Sequence, residues 1–275
     1  MARRGMDKAV NSSENMAMLL AAWRSFYNWI TSHEYVVLVA VLAVVVLTWG
    51  FIQLADEVKE GSTKKFDEWA LRTLRNPNDL KTPIGPAWLA EVGRDMTALG
   101  GVAVLFLVTI AVVGFLYMNR TYGAMWLVIV ATVGGLIIST LLKGIFHRDR
   151  PDVVPYLSHV ITTSFPSGHS MLSATVYLTL GTLLARLTRR RSIKIYILAV
   201  ALLVTFLVGV SRVFMGVHYP TDVLAGWAAG LVWAILCWLV ARYLQRRGAV
   251  ETVDEPPPEP REPPAPSQPT QLENR

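Results

Sequence analysis

Six apolar blocks dominate this sequence, each near the roughly twenty residues a helix needs to cross the hydrocarbon core of a bilayer. They run from Tyr35 to Ala55, Met96 to Met118, Tyr122 to Phe146, His169 to Leu187, Ile193 to Met215 and Thr221 to Leu244. A chain in lipid must satisfy its own backbone polar groups, and blocks of this length do so as helices. Hydrophobic residues make up 53% of the 275 positions and charged residues 17%, too little charge to cover a soluble domain of this size. The expected fold is all-α: a polytopic membrane protein, a six-transmembrane-helix bundle occupying residues 35–247.

Two flanking regions differ. Residues 1–34 read as a cytoplasmic N-terminal segment in which Trp23, Phe26, Tyr27 and Trp29 suit either an interfacial helix over Met16–Ile30 or an extension of the first span. Residues 248–275 form a proline-rich tail, with eight of the fifteen prolines from Glu251 onward; it is expected to be disordered, because it cannot bury enough surface to offset its ordering entropy. The first block is long and reads as a retained anchor rather than a cleaved signal. Cys237 is the single cysteine, so no disulfide forms within the chain.

The net charge of +6 does not point to nucleic acid, because the basic residues sit at block ends instead of forming a stripe. There they set orientation. The short connection Thr188-Arg189-Arg190-Arg191-Ser192 between the fourth and fifth blocks is the strongest cytoplasmic signal. Arg242, Arg246 and Arg247 after the sixth block and Arg3, Arg4, Lys8 and Arg24 before the first agree with it. Both termini are thus expected on the cytoplasmic side of the plasma (inner) membrane. The loop between the first two spans lies outside, its lysines and arginines largely offset by acidic residues.

Three polar clusters then fall on the outer face. Lys143 to Pro151 leaves the third span, Pro166-Ser167-Gly168-His169 opens the fourth, and Ser211-Arg212 with His218-Tyr219-Pro220-Thr221-Asp222 joins the fifth to the sixth. Each cluster alone has a plain reading, as snorkelling cations or a helix cap. Together they gather Lys143, Arg148, Arg150 and Arg212 beside His169 and His218 at a low-dielectric boundary, where the cations repel unless an anion joins them. The start of the fourth helix adds free N–H groups and the positive end of its dipole. Phosphate fits, since guanidinium groups grip its oxygens in pairs.

The same residues suggest roles. His218 as a neutral imidazole can attack phosphorus, and Asp222, four residues on and past the helix-starting Pro220, can reach its far ring nitrogen. His169 stands where it could protonate the leaving oxygen. Lys143, Arg150 and Arg212 would neutralise the equatorial oxygens, with Ser167 and the Gly168 amide as neutral donors.

The stretches Lys143-x6-Arg150-Pro151, Pro166-Ser167-Gly168-His169 and Ser211-Arg212-x5-His218-x3-Asp222 resemble the three signature motifs of the type-2 phosphatidic acid phosphatases, whose superfamily also includes vanadium haloperoxidases. Every signature position is filled, in order. The resemblance implies a metal-independent lipid phosphatase without cofactor, in which His218 becomes phosphorylated, Asp222 orients it and His169 is the general acid. The implied partner is a membrane lipid phosphate: an isoprenoid diphosphate, phosphatidic acid, phosphatidylglycerol phosphate or a lipid A phosphate. A lipid phosphotransferase is the near alternative. An anion carrier is the distant one, disfavoured by clusters at span ends and by the lack of a repeat.

Other features carry less. His147, His159, Asp152 and Asp222 lack the tight spacing of metal ligands. The sequon at Asn119 falls in a cytoplasmic turn. Gly226-x3-Gly230 and Gly134-Gly135 suit close helix packing within the bundle. Phe66 to Arg75 has the pattern of an amphipathic helix on the outer surface. Oligomeric state is not encoded in any of these patterns.

Overall fold

The structure, a computed structural model, describes residues 35–157 and 162–247. The N-terminal segment, His159 and the proline-rich tail lie outside the described residues. α1 spans Tyr35–Glu60 and is followed by a connecting segment of α2 (Lys64–Thr73), β1 (Arg75–Asn76) and β2 (Asp79–Pro83). The two short strands pair antiparallel, with Arg75 opposite Pro83 and Asn76 opposite Asp79. Then come α3 (Trp88–Leu99), α4 (Val102–Met118), α5 (Tyr122–Ile145), α6 (Gly168–Arg186), α7 (Arg191–Phe214) and α8 (Pro220–Arg246).

Helices form at all six apolar blocks, but not as six equivalent rods. α1, α5, α7 and α8 are long and apolar enough to cross a membrane. The second block differs from the single span expected over Met96–Met118. It is the C-terminal part of a helix pair, α3 and α4, bent by 48° at Gly100-Gly101. The bend has a packing cause. A Cβ on Gly100 would stand 2.3 Å from Cγ1 of Val208, so glycine there lets α7 press against the joint. The carbonyl of Leu99, freed by the break, accepts a hydrogen bond from the Tyr177 hydroxyl at 2.8 Å.

α6 is the sixth helix, and it does not meet the apolarity of the others. It carries Ser170, Ser173, Thr175 and Thr179, all buried, because it runs through the centre of the bundle and packs against α5, α7 and α8. Its contact with α8 is nearly backbone to backbone. A Cβ on Gly226 would lie 2.6 Å from the Ser167 carbonyl oxygen, and one on Gly230 2.4 Å from that of Met171. The glycine pair thus packs within the bundle, as its spacing implied. Polar ties between helices add to this: the indole of Trp233 donates to the Ala131 carbonyl at 2.9 Å, and that of Trp227 to the Thr205 carbonyl at 3.2 Å. α1 leans on α8 and leaves Val39, Leu42, Val45 and Trp49 largely uncovered. So long an apolar face is stable only against lipid.

Candidate active site

The C-terminal ends of α5 and α7 and the N-terminal ends of α6 and α8 come together at one end of the bundle. Each end is shaped by local chemistry. Ser167 caps α6, its Oγ accepting from the Ser170 amide. Pro220 sits in the first turn of α8, and the Asp222 carboxylate reaches back to accept from the Tyr219 amide at 2.9 Å. The two starts are joined directly, since the Ser167 amide donates to the Asp222 carbonyl at 2.9 Å.

His218 lies in the turn between α7 and α8 and is 1% exposed. Its Nδ1 is 3.3 Å from Oδ2 of Asp222. A carboxylate only accepts, so Nδ1 carries the proton and the Nε2 lone pair points the other way, toward Arg150 Nη1 at 3.4 Å. The same carboxylate oxygen receives the hydroxyl of Ser164, a short hydrogen bond. Burial, above all, lowers the His218 ring to about 4; Asp222 pulls it upward, and Arg212 and Arg150 push it further down.

That shift gives a test. His218 should remain neutral at about pH 5.5, roughly a unit below the ordinary imidazole midpoint. Its carbon-13-labelled ring, assigned by the signal lost in His218→Ala, should titrate below about pH 5 without phosphate. Inorganic phosphate should raise the midpoint, because the anion offsets Arg150 and Arg212. An ordinary midpoint unmoved by phosphate would contradict this electrostatic picture.

The cations divide into two kinds. Lys143 donates to Thr162 Oγ1 at 3.1 Å and to the Thr163 carbonyl at 3.0 Å. Arg150 donates to the carbonyls of Thr162 and Val217, both at 2.6 Å. Arg212 is 2% exposed, and its buried Nε has no hydrogen-bond partner. Among the described residues none of these three forms a salt bridge. His169, at the mouth of α6, is within electrostatic reach of Arg212, His218, Lys143 and Arg150. Its ring lies by the bend, where a Cβ on Gly101 would come within 3.9 Å of its Nε2. Gly168 lies against Lys143, whose Cε would be 3.4 Å from an added Cβ.

Arg148 belongs to the second kind, which corrects the expectation that it adds to the cationic excess. Its guanidinium bridges two buried carboxylates, donating to Asp222 Oδ1 at 2.6 Å and Asp67 Oδ2 at 2.7 Å, while lying 4.2 Å above the Tyr219 ring. Burial alone would lower Arg148, but the carboxylates of Asp222 and Asp67 outweigh it and the group is raised. The physical reason is proximity that sequence spacing hides, for Asp67 arrives from the segment that links α1 to α3.

Asp67 and Ser164 are therefore the residues that sequence reasoning missed. The helix expected over Phe66 to Arg75 is found as α2, ending at Thr73, with Arg75 in β1. It is no plain surface helix, since Asp67 and Leu71, four residues apart and so on one face, are both fully buried. Arg75, 1% exposed, donates to the carbonyl of Phe214 at 2.9 Å. Of the residues considered for metal, His147, Asp152 and Asp222 are described, and among the described residues no group of three or more His, Cys, Asp or Glu side chains is arranged to hold a metal ion.

The comparisons with known proteins fall on the same residues. The sequence model of the PAP2 superfamily matches residues 123–246, which contain all eight predicted site residues. Phosphatidylglycerophosphatase B of Bacillus subtilis is 37% identical over 150 residues, 53% of this chain and 71% of that protein. Lipid A 1-phosphatase of Rhizobium etli is 27% identical over 185 residues, 58% of this chain and 75% of that protein. A crystal structure of a transmembrane PAP2-type phosphatidylglycerolphosphate phosphatase from Bacillus subtilis superposes with a TM-score of 0.67 at 29% identity, covering 74% of this chain and 98% of that one. With its apolar helices, its three clusters brought to one end and these relatives, the chain belongs to the PAP2 superfamily and is a multi-pass membrane phosphatase.

Proposed function

We propose that the chain hydrolyses the phosphomonoester of a membrane glycerophospholipid, of the phosphatidylglycerol phosphate kind, through a phosphohistidine on His218 and without a metal. The observation that carries this reading is the cup itself. Arg150 stands 3.4 Å from Nε2 of an imidazole whose other nitrogen is held by Asp222, Arg212 is within electrostatic reach of that ring and Lys143 of both arginines, and among the described residues none of the three forms a salt bridge. Such a cup is complementary to a transferring phosphoryl group, whose charge lies on three equatorial oxygens.

In the first step Nε2 of His218 forms a bond to phosphorus as the phosphorus–oxygen ester bond breaks. His169, protonated once the bound phosphate offsets the cations around it, gives its proton to the departing lipid oxygen. Asp222 stabilises the positive charge that the His218 ring gains. In the second step a water attacks phosphorus, His169 takes the water's proton, and the phosphorus–nitrogen bond breaks to release inorganic phosphate. Lys143, Arg150 and Arg212 hold the oxygens throughout, with Ser167 and the Gly168 amide as further donors. The three cations supply the charge compensation for which other phosphatases use metal ions.

One feature favours a lipid of the outer leaflet, and another favours its headgroup. The site lies at the span ends, where a lipid headgroup would be within reach, while the basic turn Arg189–Arg191 connects α6 and α7 at their opposite ends, which supports a cytoplasmic turn and an outer site. Similarity, in sequence and in structure, to phosphatidylglycerophosphate phosphatase of Bacillus subtilis favours that headgroup over the alternatives. The purified chain in mixed micelles with a chelator should release phosphate from phosphatidylglycerol phosphate with a higher kcat/KM than from phosphatidic acid, an isoprenoid diphosphate or a lipid A phosphate. Loss of activity in chelator would point to a metal, and preference for a diphosphate would reassign the substrate. Label passing to an acceptor lipid would indicate a phosphotransferase.

A further inference from the structure

We infer that Asp67, on helix α2, is a positioning residue for the reaction, holding Asp222 and through it the His218 ring by way of Arg148 and Thr221. The inference rests on the roles proposed for His218 and Asp222.

The geometry is specific. Asp67 is fully buried and uses both oxygens: Oδ1 accepts from the Thr221 amide at 3.2 Å, and Oδ2 from the Thr221 hydroxyl and from Arg148, each at 2.7 Å. Arg148 spends its other terminal nitrogen on Thr221 Oγ1 at 2.8 Å and on Asp222 Oδ1. Asp222 Oδ1 is thereby fixed, so Oδ2 faces His218, Ser164 and the Tyr219 amide. The attacking ring is thus oriented by a chain of contacts that begins in a segment carrying none of the signature residues. Orienting partners one contact removed from a reacting group commonly matter to rate in this way.

Charge gives a second reason. Arg148 alone would cancel the negative charge of Asp222, which the reaction needs once His218 becomes cationic. Asp67 offsets Arg148, so the trio of Arg148, Asp67 and Asp222 keeps one net negative charge beside the imidazole. In a buried site that difference is large compared with its value in water. The connecting segment also grips the far end of the same turn, where Arg75 holds the Phe214 carbonyl. His218 therefore sits in a turn clasped at both ends by α2 and β1. A role confined to anchoring α2 or capping α8 would lower the melting temperature and leave the rate of the folded enzyme alone.

The test uses the full chain in detergent micelles, comparing wild type, Asp67→Asn, Arg148→Gln, the double variant and Thr221→Ala. Asp67→Asn should lower kcat about 10- to 100-fold with KM within about threefold. The double variant should be no slower than Arg148→Gln by more than about threefold, because the two residues act in series. Thr221→Ala should show the same kcat-only pattern at about three- to tenfold. A kcat for folded Asp67→Asn close to wild type would overturn the inference, as would losses that multiply in the double variant. If Asp67→Asn fails to fold, Thr221→Ala decides, and an unchanged kcat there overturns it. His218→Ala retaining activity would instead remove the proposed function on which this rests.

Discussion

His218→Ala should lower kcat by at least about 10⁴-fold while the protein still folds. Phosphate monoester hydrolysis is so slow without catalysis that a cup of cations alone supplies only part of the rate. What the variant loses is the Nε2 lone pair, the one nucleophilic atom that the site holds with its partner nitrogen tied down at 3.3 Å to Asp222 and its free side by Arg150. Removing a ring that is 1% exposed leaves a small cavity, so a modest fall in melting temperature accompanies the kinetic loss. Alkaline quench of the wild type during turnover should trap a phosphoryl adduct on His218, stable to base and labile to acid, and absent in the variant. An adduct on serine or aspartate, or turnover within about 100-fold of wild type, would refute the role.

Asp222→Asn is the second large effect, an expected fall of about 10²- to 10⁴-fold in phosphoenzyme formation. The carboxamide is nearly isosteric, so size is not the issue. On one side the Nδ1 of His218, the hydroxyl of Ser164 and the Tyr219 amide all approach Oδ2; on the other Arg148 and its guanidinium approach Oδ1. Every neighbour is a donor or can be one, and an amide must turn its own N–H groups toward one side. If they face His218, Nδ1 becomes an acceptor, the proton moves to Nε2 and the attacking lone pair is gone. If they face Arg148, a buried guanidinium loses one of its two carboxylates, and breaking such a pair costs about 3–5 kcal/mol. Rapid-quench single turnovers separate these outcomes from weakened binding. A rate within about tenfold of wild type would show that the carboxylate's charge is dispensable.

Much of this arrangement is legible in the sequence, for identifiable reasons. α5 to α8 begin and end within about two residues of the expected boundaries, because long apolar runs bounded by Arg, Pro and Gly leave a helix little choice. The three clusters meet because consecutive helices alternate direction, a property that needs only counting. The failures are tertiary. Glu91, Arg94 and Asp95 break the apolarity of the first part of α3, so hydropathy began the span at Met96, and nothing local to Gly100 announces Val208 or Tyr177 as its neighbours. Asp67 sits among Phe66, Glu68 and Trp69, where a reader assigns it to the polar face of an exposed helix; only the fold reveals that Arg148 and Thr221 await it. The balance of Arg148 is hidden for the same reason, its charge being met by a residue 81 positions away.

The polarity of α6 has a consequence for biogenesis. Its buried serines and threonines suit protein neighbours, and a newly made chain ending at Arg186 would offer them to lipid tails instead. α6 is therefore expected to depend on α7 and α8 to settle in the bilayer, the three helices packing together about the arginine-rich turn. Since α6 and α8 also carry His169 and Asp222, the roles proposed for them require that α8 be in place, and a nascent chain ending before it is expected to be inactive.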